Sequence, residues 1–188
     1  TMTMSVTAFA ANSSCTLTVN ANGGQNLQGQ TINLYKLFDV TTSQSDGKTN
    51  YAYTVNDTYK ATLASTLNIA DTSKNETFVE KVNALKDTTG AVQNFANKFT
   101  EEALKNNLVA TATSNKFTNP QKSYTFTDLD AGYYLVYVTG GKEIQSSLVT
   151  VTDEDGQVRL KTEAPSITKT ADKATVNIGD VVTYIVNG

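Results

Sequence analysis

The sequence contains no histidine and no tryptophan, and only one cysteine and one arginine among its 188 residues. The absence of histidine excludes Ser-His-Asp and Cys-His catalysis, together with every zinc site that uses a histidine ligand. The single Cys15 cannot form an internal disulfide, and we interpret it as a thiol at the start of a strand. A net charge of -3, with Arg159 as the only arginine, argues against nucleic-acid binding, which needs a basic face.

Carboxylates occur in short clusters. Glu101 and Glu102 adjoin on a predicted helix, Asp128 and Asp130 flank a predicted turn, and residues 153–155 lie in a predicted hairpin. Glycosidase chemistry needs two carboxylates that face each other across a substrate, and a calcium loop needs a longer, spaced series of ligands. We therefore interpret the clusters as solvated surface and predict no metal ion, no cofactor and no enzymatic activity.

The first eleven residues have the character of the end of a signal peptide. They are mostly apolar or small, and Ala8-Phe9-Ala10-Ala11 offers an A-x-A cleavage signature. An ordinary first strand is the alternative interpretation. No other segment reaches the roughly 18 apolar residues of a membrane span. The sequence therefore predicts export, with no membrane association in this stretch of chain.

A hydrophobic period of two dominates residues 16–55. It predicts strands at 16–19, 31–40 and 51–55, with a polar loop over 41–50 between the last two. Four apolar residues of the second strand fall on one face of it by this period, namely Ile32, Leu34, Phe38 and Val40.

The period then changes to that of a helix. Phe78, Val82 and Leu85 predict a helix over 76–86 with Asn75 as its N-cap, and a break at 88–90 precedes a second helix. The predicted buried face of this second helix comprises Val92, Phe95, Ala96, Phe99, Ala103 and Leu104. We interpret these side chains as core residues rather than as a cofactor site.

Strand patterns return after residue 123. They predict strands at 124–126, 133–138, 147–152 and 157–161, with turns at 128–132, 140–141 and 153–156. The sequence thus predicts a mainly β chain, an Ig-like β-sandwich over residues 12–164 with a helical insertion between about 75 and 107. Pro165 marks the boundary, and 165–188 would supply the opening strands, 166–169 and 181–186, of a truncated second domain.

Two lysines fall on predicted core faces. Lys36 is in phase with the apolar residues of its strand, and Lys169 is in phase with Ile167. Burial drives an amine towards its neutral form, and a neutral amine in an apolar site is a nucleophile that could attack a side-chain amide. The alternative is that each lysine extends its ammonium group to water from a strand end.

Three groups of motifs carry a resemblance to a known family. Residues 30–38 (QTINLYKLF) resemble an early strand of the first domain in sortase-assembled Gram-positive major pilins, and 126–136 (FTDLDAGYYLV) resemble the turn and strand of their Cna-B-type sandwich modules. The series 158–161 (VRLK), 164–169 (APSITK) and 178–184 (IGDVVTY) resembles the passage from the first pilin domain into the second.

The resemblance implies a structural subunit of a covalently polymerised fimbrium, secreted and attached to the cell wall, whose partners are other pilin subunits and a pilin-class sortase. It implies that Lys161 accepts the inter-subunit link, although no Tyr-Pro precedes it here. It also implies that Lys169 forms an intramolecular isopeptide bond in the second domain with an acceptor beyond this chain. Lys36 is the weaker isopeptide candidate, and we predict no bond there. Thr162 stands where the resemblance places the acceptor asparagine, and the strand 133–138, where it places the assisting acid, has no carboxylate.

Two other functions remain open at this level. The chain could belong to a pilus-tip or wall-anchored adhesin, whose helical insertion binds a host protein or glycan. An enzyme is the third alternative, and no catalytic constellation in the sequence favours it.

Overall fold

A computed structural model describes residues 7–9, 15–21, 25–141, 144–152 and 174–178. Its strands are β1 (Thr7–Phe9), β2 (Cys15–Ala21), β3 (Thr31–Ser45), β4 (Lys48–Val55), β5 (Ala112–Thr113), β6 (Ser123–Leu129), β7 (Gly132–Thr139), β8 (Gln145–Val151) and β9 (Ala174–Ile178). Its helices are α1 (Lys60–Leu67), α2 (Asn75–Asn83) and α3 (Ala91–Lys105), with a 3-10 segment at Ala84–Asp87. The prediction of a mainly β chain with a helical insertion between strands is confirmed.

The strands form two sheets. In the large sheet, hydrogen-bonded neighbours follow the path β1-β3-β7-β8, and β4 and β5 also pair with β3. The small sheet has the order β6-β2-β9. Strand β3 organises the large sheet because its first half pairs with β7 and its second half pairs with both β1 and β4. Among the described strands, the pairings are antiparallel except that of β2 with β9.

The large sheet is covered on both faces. On one face it packs against the small sheet around Leu17, Ile32 and Tyr134, and on the other against the helices around Phe38, Phe78 and Phe99. This double burial explains β7, whose residues from Gly132 to Val136 are all buried. A near-continuous apolar strand is what a central strand covered on both faces requires.

A bulge in β3 corrects one prediction. The register with β7 shifts between Lys36 and Phe38. The extra residue lets Leu37 and Phe38 both pack against the helices, whereas Ile32, Leu34 and Val40 lie in the core between the two sheets. The prediction that all four share one face was therefore wrong for Phe38.

The predicted polar loop at 41–50 was also wrong. Strand β3 continues to Ser45 and β4 begins at Lys48, with Asp46 and Gly47 forming a two-residue turn at φ 51° and 76°. Positive φ at both central residues is the requirement of a type I′ hairpin, which Asp-Gly satisfies. The polar residues therefore belong to an extended hairpin.

The helical insertion begins earlier than predicted, at Lys60. Helix α1 was not predicted, because its buried residues are consecutive and show no helical spacing; they are Thr62, Leu63 and Ala64. Helix α2 begins at Asn75 with Lys74 as its N-cap, so Asn75 is not the cap; its side-chain oxygen instead accepts the Val55 amide at 3.0 Å.

Helix α3 carries the predicted apolar face with one exception. Leu104 is 75% exposed, whereas Phe99 and Ala103 are buried. The buried stripe ends at Ala103, whose carbonyl accepts the Leu108 amide at 2.9 Å as the chain turns back. The side chain of Leu108 packs against the helical core.

The two ends of the chain are described in part. Thr7–Phe9, within the predicted signal remnant, pairs with Thr42–Gln44 of β3, and Ala174–Ile178 lies beside β2. The predicted turn at 153–156, the strands at 157–161, 166–169 and 181–186 and the boundary at Pro165 lie outside the described residues. The signal peptide and the domain boundary stay predictions.

Candidate functional site

Of the three lysines singled out by the sequence, the structure describes Lys36. Lys161 and Lys169 lie outside the described residues, so the roles predicted for them are untested. The candidate site is therefore the group of side chains around Lys36, which we name the Lys36 corner: Lys36, Asp39, Asn56, Asp130 and Tyr134.

The bulge in β3 positions Lys36. Its Cα lies opposite Tyr134 of β7, and Asp39 lies opposite Gly132. A Cβ atom on Gly132 would come within 2.7 Å of both Cγ and Cδ of Lys36 and of the Phe38 carbonyl oxygen. Glycine at 132 thus leaves the space through which the aliphatic part of Lys36 passes.

The ammonium group of Lys36 contacts two carboxylates. Its Nζ lies 2.9 Å from Oδ1 of Asp39 and 3.3 Å from Oδ2 of Asp130. The side chain of Lys36 is only 12% exposed, whereas those of Asp39 and Asp130 are 35% and 52% exposed. Asn56 completes the group by donating from Nδ2 to Oδ1 of Asp39 at 3.1 Å.

These contacts keep Lys36 charged. Burial alone would lower the pKa of its amine, but hydrogen bonds and charge attraction from Asp39 and Asp130 outweigh burial and raise the pKa above its ordinary value. The amine is therefore held as an ammonium ion rather than as the neutral nucleophile that a buried lysine without partners would become. Neither sequence interpretation, a neutral buried amine or an amine extended to water, describes this paired state.

Tyr134 fixes the backbone of the same corner. The chain leaves β6 in the small sheet, turns at Asp130 and enters β7 in the large sheet, and Asp128 has a positive φ of 56° just before the turn. The hydroxyl of the fully buried Tyr134 donates to the carbonyl oxygen of Asp130 at 2.7 Å. Burial, followed by the nearby negative charges, raises the pKa of Tyr134, so the hydroxyl stays a donor.

The sequence missed the partners of Lys36. We interpreted Asp130 as part of a solvated cluster. The search for an assisting acid considered only the strand 133–138, whereas Asp130 lies in the turn just before that strand. Asp39 lies three residues after Lys36, a spacing that places two side chains on opposite faces of a regular strand. Only the bulge brings them together, and no local signal in the sequence announces it.

The other polar groups noted in the sequence have structural roles or lie on the surface. Glu101 is exposed, and Glu102 lies 3.7 Å from Lys105 on the same helix. Within the described part of the chain, no group of three or more cysteine or acidic residues could hold a metal ion. None of the helices in that part is long and apolar enough to cross a membrane.

Comparison with known proteins gives no relative to guide the interpretation. No protein-family model, no curated protein and no solved structure matches the chain.

Proposed function

We propose that this chain is the N-terminal part of a structural subunit of a covalently polymerised cell-surface fimbrium, built on an Ig-like, Cna-B-type sandwich. The observation that carries the proposal is the corner between β6 and β7. There the hydroxyl of Tyr134 binds the Asp130 carbonyl four residues upstream, at the point where the chain passes between sheets. A buried tyrosine that bonds back to the backbone at such a crossing is a recurring feature of Ig-like sandwiches.

The corner also gives a structural reason for the motif at 126–136. Phe126 and Leu129 pack into the core between the sheets, Gly132 makes room for Lys36, and the remainder forms the central strand β7. The apolar and glycine positions of this motif thus serve a sandwich scaffold. This favours a structural role over catalysis.

Sortase-mediated linkage needs an accessible primary amine that can reach an acyl-enzyme. Lys36 does not meet this need because it is 12% exposed and paired with two carboxylates. Lys161 remains our candidate for the link. It lies in the sequence between Val151, which pairs with Gly132, and Ala174, which pairs with Leu17.

The test is polymerisation on cells that express the full-length protein with its sortase. Lys161→Ala and Lys161→Arg should both abolish high-molecular-weight ladders while leaving the subunit folded and secreted, because neither side chain forms the amide. Lys142→Ala and Lys173→Ala are the matched controls and should leave the ladders intact. Ladders that persist in both Lys161 variants but disappear in a control variant would show that the linking lysine is another one.

One observation favours the second function, an adhesin. Leu104 and Val109, at the end of the helical insertion, are 75% and 76% exposed, and few large apolar side chains in the described chain are exposed to this degree. If the insertion binds a host protein or glycan, Leu104→Ser with Val109→Ser should weaken attachment to host cells without changing the ladders. A ligand-binding chain that never forms ladders would favour the adhesin over the shaft subunit.

A further inference from the structure

Strand β9 comes from beyond the predicted domain boundary, and yet it belongs to the sandwich. Five residues, Ala174 to Ile178, pair in parallel with Leu17 to Ala21 of β2. The sequence assigned this segment to the second domain. The pairing raises the question of what the segment does for the sandwich and for the unit that follows it.

The burial of β2 is that of a strand with a neighbour on each side. Its inward residues Cys15, Leu17 and Val19 are at most 1% exposed, whereas Phe126 and Leu129 of the edge strand β6 are both 6% exposed. The outward residues differ in the same way. Thr16, Thr18 and Asn20 of β2 are half-buried, and Ser123, Thr125 and Thr127 of β6 are exposed.

Strand β9 supplies the second neighbour. Without it, the described small sheet would be a ribbon of β6 and β2 with an open row of backbone amides and carbonyls along β2. Two-stranded ribbons are marginal in water, and open edges pair with other chains. The segment thus adds a third strand to the described small sheet and covers the edge of β2.

The direction of β9 decides where the strand ends. Because the pairing is parallel, the strand begins beside Leu17, near the Lys36 corner, and ends with Ile178 beside Ala21. Ala21 lies at the opposite end of the sandwich, where its amide binds the Lys122 carbonyl at 2.8 Å. Strand β9 therefore ends at the end of the sandwich farthest from the Lys36 corner.

We propose that Ala174–Ile178 is a clamp that fastens the unit following Pro165 to the sandwich through the edge of β2. The clamp makes the sandwich and that unit move as one body. This rests on the proposed function, since the second unit is part of it.

A disulfide tests the pairing in the full chain. Thr18 and Thr175 lie opposite each other, about 4.8 Å apart between neighbouring strands, so Thr18→Cys with Thr175→Cys should form an intramolecular disulfide in high yield. The control pair, Thr18→Cys with Asn177→Cys, is two positions out of register and about 8 Å apart, beyond disulfide reach. Equal yields in the two pairs, or disulfides between two copies of the chain, would overturn the proposal.

Proline substitutions at two neighbouring positions of β9 test whether its pairing stabilises β2. Backbone N–H groups alternate in direction along a strand, so only one of Thr175→Pro and Val176→Pro removes a hydrogen bond to β2. That variant should speed amide exchange in residues 17–21 about fivefold or more, as expected for one lost hydrogen bond, and the other should change it much less.

The same variants, made in the full-length protein, test the motion of the two units. Nuclear spin relaxation should give one tumbling time for both units in the parent protein and in the milder proline variant, and two different times in the disruptive variant. Independent tumbling in the parent would refute the clamp. These measurements do not involve the sortase, so a failed clamp and a failed fimbrial function are distinguishable.

Discussion

Replacement of Lys36 by methionine tests the Lys36 corner most directly. Methionine keeps most of the apolar length that passes over Gly132 but removes the charge, so the change isolates the two ion pairs at 2.9 and 3.3 Å. Hydrogen bonds to charged groups contribute ~1.5–3 kcal/mol when buried, and exposed ion pairs less than ~1 kcal/mol. Because Asp39 and Asp130 are 35% and 52% exposed, we expect an intermediate loss of about 1–2 kcal/mol in the free energy of unfolding.

The assay is urea unfolding followed by far-ultraviolet circular dichroism, with thermal unfolding as a second measure. A loss of this size corresponds to a decrease of roughly 3–6 °C in Tm for a chain of this length. Lys105→Met is the matched control, since Lys105 is 64% exposed and 3.7 Å from Glu102, and should cost less than ~0.5 kcal/mol. If Lys36→Met were as stable as the parent, or no less stable than the control variant, the reasoning about the corner would be refuted.

Three further predictions concern the same region. Gly132→Ala should destabilise the fold by about 1–3 kcal/mol in urea unfolding, because the new Cβ would meet the Phe38 carbonyl oxygen at 2.7 Å; an unchanged midpoint would contradict this. The free energy of unfolding should fall as the pH rises above about 10. The pKa values of Lys36 (ordinary value 10.5) and of the buried Tyr134 (ordinary value 10.0) are raised, so the folded state retains protons that the unfolded state releases. A urea midpoint that is equal at pH 8 and pH 10.5 would contradict this prediction. The intact mass should show no loss of water or ammonia assignable to Lys36, and a tryptic peptide cross-linked through that residue would show that it had reacted.

Strong periodic patterns predicted much of the framework. Strand β3 was predicted from the alternation in residues 31–40, and β7 from the apolar run of 133–138. Helix α3 was predicted from the helical spacing of apolar residues such as Phe95 and Phe99. These segments are predictable because each buries a face, and a buried face imposes its period on the sequence.

Features that depend on contacts between distant residues were not predictable. The bulge at Lys36 changes the facing of Phe38 without any local marker, and Asp130 reaches Lys36 only because the chain turns between the two sheets. The hairpin at 41–50 is a different case. Its Asp46-Gly47 turn could be predicted from the sequence, but the polar residues around the turn resembled a loop.

The contacts in the Lys36 corner argue against Lys36 as a lysine that forms an amide bond. Amide formation between an amine and a carboxyl group begins from a neutral amine and a protonated acid. The corner disfavours the neutral amine, since each carboxylate that approaches Nζ favours the ammonium ion. A second carboxylate adds to this effect at Lys36, because both acids share one cation. Lys36 is thus a non-covalent fastening between β3 and the turn before β7, and covalent chemistry of the proposed fimbrium would fall to Lys161 and Lys169.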